Sequence, residues 1–87
     1  MGKNEEKLLE ELAKDLEFCE LSLRKEARID FIINVLDEIL LRIEGLDLDR
    51  LPRNLHSRAS QIASRARILY HRAVALSELK EKEAMEE

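Results

Sequence analysis

Leu55, Ala59, Ile62, Ala66, Leu69, Ala73 and Leu76 follow one another in alternating steps of four and three residues. That spacing is a helical seam, because steps of four and three return to one side of an α-helix. Leucine or isoleucine takes one position of each heptad, and alanine takes the other, at Ala59, Ala66 and Ala73. A small side chain every second turn lets a neighbouring helix come close, so these alanines are the candidate close-packing seam. The seam predicts a helix over about 52–84, roughly 50 Å long at 1.5 Å per residue.

The segment before it is punctuated at one place. Apart from Gly2, the chain has glycine only at Gly45 and proline only at Pro52, and both lie in EGLDLDRLPRN. A glycine suits the left-handed residue that ends a helix, and a proline excludes helical geometry from the residue before it. Residues 45–52 are therefore read as a loop. Upstream, Ile29, Ile32, Ile33, Leu36, Ile39, Leu40 and Ile43 cover nearly half of a helix circumference, and Val35 widens the face. That is broader than the stripe of an ordinary surface helix. A second helix over about 23–45 is predicted to touch partners on two sides.

Leu8, Leu9, Leu12, Leu16, Cys19 and Leu23 give a third helical pattern, but continuing its heptad lands on Glu26, Asp30 and Asp37. The phase breaks near 24–28 without a glycine or proline. The reading adopted is a turn at Glu20–Leu21–Ser22, with Ser22 capping the next helix, so the first helix covers about 5–20. One long helix that changes its buried side is the alternative. The fold class is thus all-α, an antiparallel bundle of three helices with a long third helix, in one domain spanning 1–87 with an acidic tail at 78–87.

Charge is distributed in blocks. Residues 1–49 carry 7 bases and 14 acids, residues 50–77 carry 6 bases and no acid, and residues 78–87 carry 2 bases and 5 acids. Such asymmetry asks for a partner. Arg58, Arg65 and Arg72 are seven apart and form a stripe beside the alanine seam, while Arg53 and Arg67 broaden the basic surface. These five arginines are the candidate interaction row. Asp30, Asp37 and Glu44 repeat at the same interval on the second helix. In an antiparallel hairpin closed by 45–52, Asp37 comes level with Arg58, and Asp30 with Arg65. The row then neutralises acids of its own chain or of a second copy. An acidic protein partner and the phosphates of a nucleic acid are the other readings, since guanidinium forks match phosphate oxygens. The sequence pI near 5.3 weighs against nucleic-acid binding, and with only Phe18, Phe31 and Tyr70 as aromatics no platform for base stacking is available.

Cys19 keeps step with the leucines and reads as a core thiol; beside Glu17 and Glu20 its pKa is expected to rise. His56 and His71 lie 15 residues apart on one helix, about 22 Å, too far to share a metal. Neither a nucleophile–base pair nor a glycine-rich phosphate loop occurs. No cofactor or metal is expected, and no enzymatic activity. Residues 23–43, LRKEARIDFIINVLDEILLRI, resemble the first helix of the dimeric helical chorismate mutases, whose arginines clamp a dicarboxylate. The Leu-Arg and Ile-Asp pairs are spaced differently from that family, and a later arginine and glutamine are lacking, so no catalytic role is carried over. VLDEIL followed by LPRNL resembles one helix–loop–helix half of a family of small archaeal proteins, again without an implied activity.

No apolar run approaches the roughly 18 residues of a membrane span, and the acidic opening MGKNEEKLLEELAKDLE does not read as a secretory leader. A cytoplasmic protein is expected. The absence of threonine and tryptophan, with one glutamine and three asparagines, leans towards a thermophilic source. The wide face of the second helix, the alanine seam and the long third helix together predict a homodimer. The predicted role is a helical protein–protein interaction or dimerisation module; the alternative is a nucleic-acid-associated protein that binds phosphates through the arginine row.

Overall fold

The computed structural model describes residues 2–86. Among these, three helices and no strands are found: α1 (Gly2–Arg24), α2 (Ile29–Glu44) and α3 (Arg53–Glu86), with a 3-10 turn at Leu48–Arg50. Each helix packs against the other two, and the molecule measures 55 × 19 × 15 Å. α3 stays helical through most of the stretch expected as an acidic tail; Glu87 lies outside the described residues.

The core is the apolar side of all three helices. α1 supplies Leu9, Leu12, Leu16, Cys19 and Leu23; α2 supplies Ile29, Ile32, Leu36, Ile39 and Ile43; α3 supplies Leu55, Ile62, Ala63 and Leu69 with the three seam alanines. Ala59, Ala66 and Ala73 are all 0% exposed. No polar or charged residue among the described side chains is buried as a whole, but one carboxylate oxygen, Oε2 of Glu5, is enclosed without a hydrogen-bond partner, a desolvation cost that the fold carries. Each buried leucine or isoleucine is worth about 1.5–3 kcal/mol relative to exposure. The wide face of α2 is occupied within one chain: its buried stripe is flanked by half-buried Ile33, Val35 and Leu40 packed on the same core.

The turn between α1 and α2 lies later than the sequence suggested. α1 continues through Ser22 to Arg24, and the break falls at Lys25–Arg28. The Glu26 N–H donates to the Leu23 carbonyl at 3.0 Å and the Ala27 N–H to the Ser22 carbonyl at 3.0 Å, the paired bonds of a Schellman ending. Glu26 takes the left-handed conformation such an ending requires, at φ 53°, and Arg28 does so again at φ 54° before α2 begins. Ser22 caps nothing; Arg28 is the N-cap, and its side chain makes no capping bond. Lys80 Nζ donates to the Glu26 carbonyl at 3.1 Å, tying the corner to α3.

The second connection also departs from expectation. Gly45 is right-handed, at φ −75° and ψ −10°, and a Cβ there would meet only ordinary contacts, the nearer being the Arg42 carbonyl oxygen at 3.5 Å. That conformation is open to any residue, so the position does not require a glycine. Leu51 is extended (ψ 144°), as the following proline demands. Between them Leu46, Leu48 and Leu51 pack on the core, so the connection is a packed segment rather than a tight turn. This sets the register. Ile43 and Glu44 share a cleft with Ala59, Ser60 and Ala63, and Ile29 and Asp30 share one with Ser77, Lys80 and Glu81. The expected pairing of Asp30 with Arg65 and Asp37 with Arg58 assumed a tight hairpin; the packed connection shifts α3 along α2.

Because Ala66 is fully enclosed, Ala66→Leu should overpack the seam and destabilise the chain by about 1–3 kcal/mol despite its greater hydrophobicity. Chemical denaturation of the variant against the wild type reads this directly. An unchanged or raised midpoint would contradict close packing at this position.

Candidate interaction surfaces

α3 presents the arginine row to solvent. Arg53, Arg58, Arg65, Arg67 and Arg72 are all exposed. At 100° per residue Arg58, Arg65 and Arg72 lie on one flank of the helix, whereas Arg53 and Arg67 fall on the other. Arg67 lines the cleft that also holds Ile43, Glu44 and Leu46.

One arginine of the row is engaged within the chain, and its partner is on α1. Arg65 Nη2 donates to both carboxylate oxygens of Glu20, at 2.7 and 2.6 Å. The Glu20 side chain is 22% exposed and that of Arg65 58%. Arg24 Nη2 stands 3.6 Å from the same carboxylate. The Arg65 hydrogen bond holds Glu20 below the usual carboxylate range; partial burial opposes this, and the positive charges of Arg65, Arg24 and Arg72 add to it. Among the described residues, Arg53, Arg58, Arg67 and Arg72 have no carboxylate within 4.0 Å.

The Glu20–Arg65 clamp stands at a groove between α1 and α3 of about 860 Å³. Its sides are small or polar, with Ala13 and Glu17 from α1 and Ser57, Ser60, Gln61 and Ser64 from α3; Leu16 and Ile62 form the floor and Ile68 an exposed edge.

A second groove, about 420 Å³, runs between α1 and α2. It brings together Phe18 and Phe31, both phenylalanines of the chain, at 46% and 49% exposure. Leu12, Val35 and Ile39 lie beneath them, and Asp15, Arg28, Glu38 and Arg42 surround them. The Arg28 guanidinium carbon is 6.0 Å from the centre of the Phe31 ring, within cation–π range. Sequence reasoning counted these rings only as a shortage of aromatics. The available signal was their phase: Phe18 falls out of step with Leu12, Leu16, Cys19 and Leu23, and Phe31 with Ile29, Ile32 and Leu36.

Among the described residues no three His, Cys, Asp or Glu side chains gather as metal ligands. His56 and His71 are exposed on α3. Cys19 is 0% exposed, and its thiol is pushed up to about 11, mainly by burial and secondarily by the charge of Asp15. The sequence reading assigned that charge effect to Glu17 and Glu20; Asp15 replaces them, one turn earlier on the helix. No helix among the described residues is long and apolar enough to cross a membrane. No protein-family model, curated protein or solved structure matches the chain.

The clamp has a pH signature. Glu20 titrates lower in the folded chain than when unfolded, so its contribution to stability is complete above the ordinary carboxylate value, about 4.3, and is lost as pH falls through its lower folded value. Thermal melts between neutral and acid pH should show Glu20→Gln less stable at neutral pH, with the gap to wild type closing in acid. Arg65→Glu should also destabilise, and adding Glu20→Arg should recover part of the loss in a double-mutant cycle. A pH-independent gap, or additive effects, would count against the clamp.

Proposed function

We propose that this chain is a helical protein–protein interaction module that works as a homodimer and carries no catalytic activity of its own. The bundle is read as antiparallel between successive helices. This is supported by the clefts that join Ile43 to Ala59 near one end of α2 and Ile29 to Ser77 near the other, and by Phe18 meeting Phe31 across the corner of α1 and α2. The observation that carries the functional reading is the exposure of both phenylalanines in one groove while the apolar stripes around them are buried. Large aromatics left half wet are enriched where proteins meet, because each offers a large apolar area with little rotamer entropy to lose. Sedimentation velocity over the micromolar range should show a dimer; a single monomeric species throughout would refute the proposal.

A second reading has one specific observation in its favour: Arg53, Arg58, Arg67 and Arg72 are exposed without an ion-pair partner among the described residues, on a stretch, 50–77, with no acid. A helix with such unpaired arginines on two flanks suits the phosphates of a nucleic acid or an acidic protein. If it binds nucleic acid, a mobility shift should appear at low salt, and Arg58→Glu should lower the salt slope by about one unit for each phosphate left without its arginine. Absence of any shift with duplex or single strands at low salt would remove this reading.

A further inference from the structure

A helical stripe that is apolar in the middle and oppositely charged at its two ends matches itself when a second copy is laid against it in reverse. α2 and its cap carry such a stripe. Arg28, Phe31, Val35 and Glu38 follow steps of three, four and three, which keeps them on one edge of the helix, and all four line the α1–α2 groove. Reversal about a two-fold axis sets Arg28 against Glu38 at each end and Phe31 against Val35 between them, the self-complementarity that an isologous contact demands.

Charge separates this surface from the other exposed ones. The ionisable groups around the groove are Asp15, Arg28, Glu38 and Arg42, two of each sign, so two copies meet there without net repulsion. The α3 face carries arginines and no acid over 50–77 and would repel its own copy.

The backbone adds an independent observation. Arg28 is left-handed, φ 54° and ψ 44°, without a side-chain capping bond. For a residue with a Cβ this conformation costs about 1–2 kcal/mol that glycine would avoid. Glu26 holds the same conformation in this turn, so the strain belongs to the corner as a whole; what Arg28 alone adds is a side chain that stands over Phe31 at the groove.

We infer that the α1–α2 groove is where a second copy of this chain docks, with Arg28 of each copy meeting the partner's Glu38 and Phe31 of each meeting the partner's Val35. The inference rests on the homodimer reading above and specifies its surface.

The test is a charge exchange followed by sedimentation velocity on the full chain, with melting curves to confirm folding. Phe31→Ser, at a half-exposed position, should leave the fold intact and weaken dimerisation about tenfold or more, as loss of a central aromatic anchor does. Arg28→Glu and Glu38→Arg should each weaken it, because each places like charges across the axis. Glu26 already shows that a glutamate accepts the left-handed conformation in this turn. The double variant Arg28→Glu with Glu38→Arg should return to near wild-type affinity. Leu41→Ser, at an exposed leucine outside the groove, should leave the dimer unchanged. If the dimer survives Phe31→Ser, or the double variant dimerises no better than the singles, the groove assignment is wrong and dimerisation itself stands. If Leu41→Ser disperses the dimer as fully as Phe31→Ser does, the contact lies elsewhere. A monomeric wild type overturns both the assignment and the homodimer reading, and leaves the groove to a different protein.

Discussion

Three fully enclosed alanines on α3 set how near the other helices can come. With Ala59, Ala66 and Ala73 at 0% exposure, the leucines and isoleucines of α1 and α2 fill space that larger residues on α3 would have taken. The interior is large against small, with no polar residue buried as a whole among the described ones to favour one arrangement over another. Shape does most of the selecting here. Along α3 the buried side chains run from Leu55 to Ala73, whereas residues 78–83 are exposed, Leu79 at 54%, so the last turns of this 34-residue helix extend past the shared core.

How far this was readable varies by element. The third helix, its start after Pro52 and its buried face were plain, because the heptad from Leu55 to Leu76 has one interpretation and proline leaves Leu51 little choice. The α1–α2 corner was hidden because its left-handed positions are held by Glu26 and Arg28, residues that seldom adopt that conformation; hydrogen bonds to Leu23 and Ser22 and the Lys80 bond to the Glu26 carbonyl fix it instead. The pairing of Arg65 was missed for a related reason. Matching seven-residue stripes on α2 and α3 made Asp30 the natural partner, but level depends on the path of the connection, and Leu46, Leu48 and Leu51 are not visibly core residues in a segment so rich in aspartate. Glu20, read from the sequence as part of a turn and as a neighbour of Cys19, gives no sign of the arginine it meets.

The opposed charge blocks gain a simple reading from the fold. α1 carries most of its acids on its outer surface, where Glu6, Glu10, Glu11, Asp15 and Glu17 are exposed, while α3 exposes its arginines. Among the described residues, Glu20–Arg65 is the one ion pair that joins the two helices. The flank of Arg58, Arg65 and Arg72 adjoins α1, since Arg65 bonds Glu20 and the charge of Arg72 acts on the same carboxylate, so the two blocks lie within reach of each other at a Debye length of about 8–10 Å in physiological salt.

Cys19 is 0% exposed, with its thiol pushed up to about 11. Only the thiolate of an accessible cysteine reacts appreciably, so the folded molecule is silent towards alkylating reagents at neutral pH and the opened one is not. The side chain lies on α1 in contact with the common core, and lifting that helix is what uncovers it. The single cysteine thus makes the chain its own gauge of opening: the ratio of its labelling rate to that of an unstructured thiol is the fraction of time Cys19 is uncovered, whether α1 lifts or the whole bundle opens.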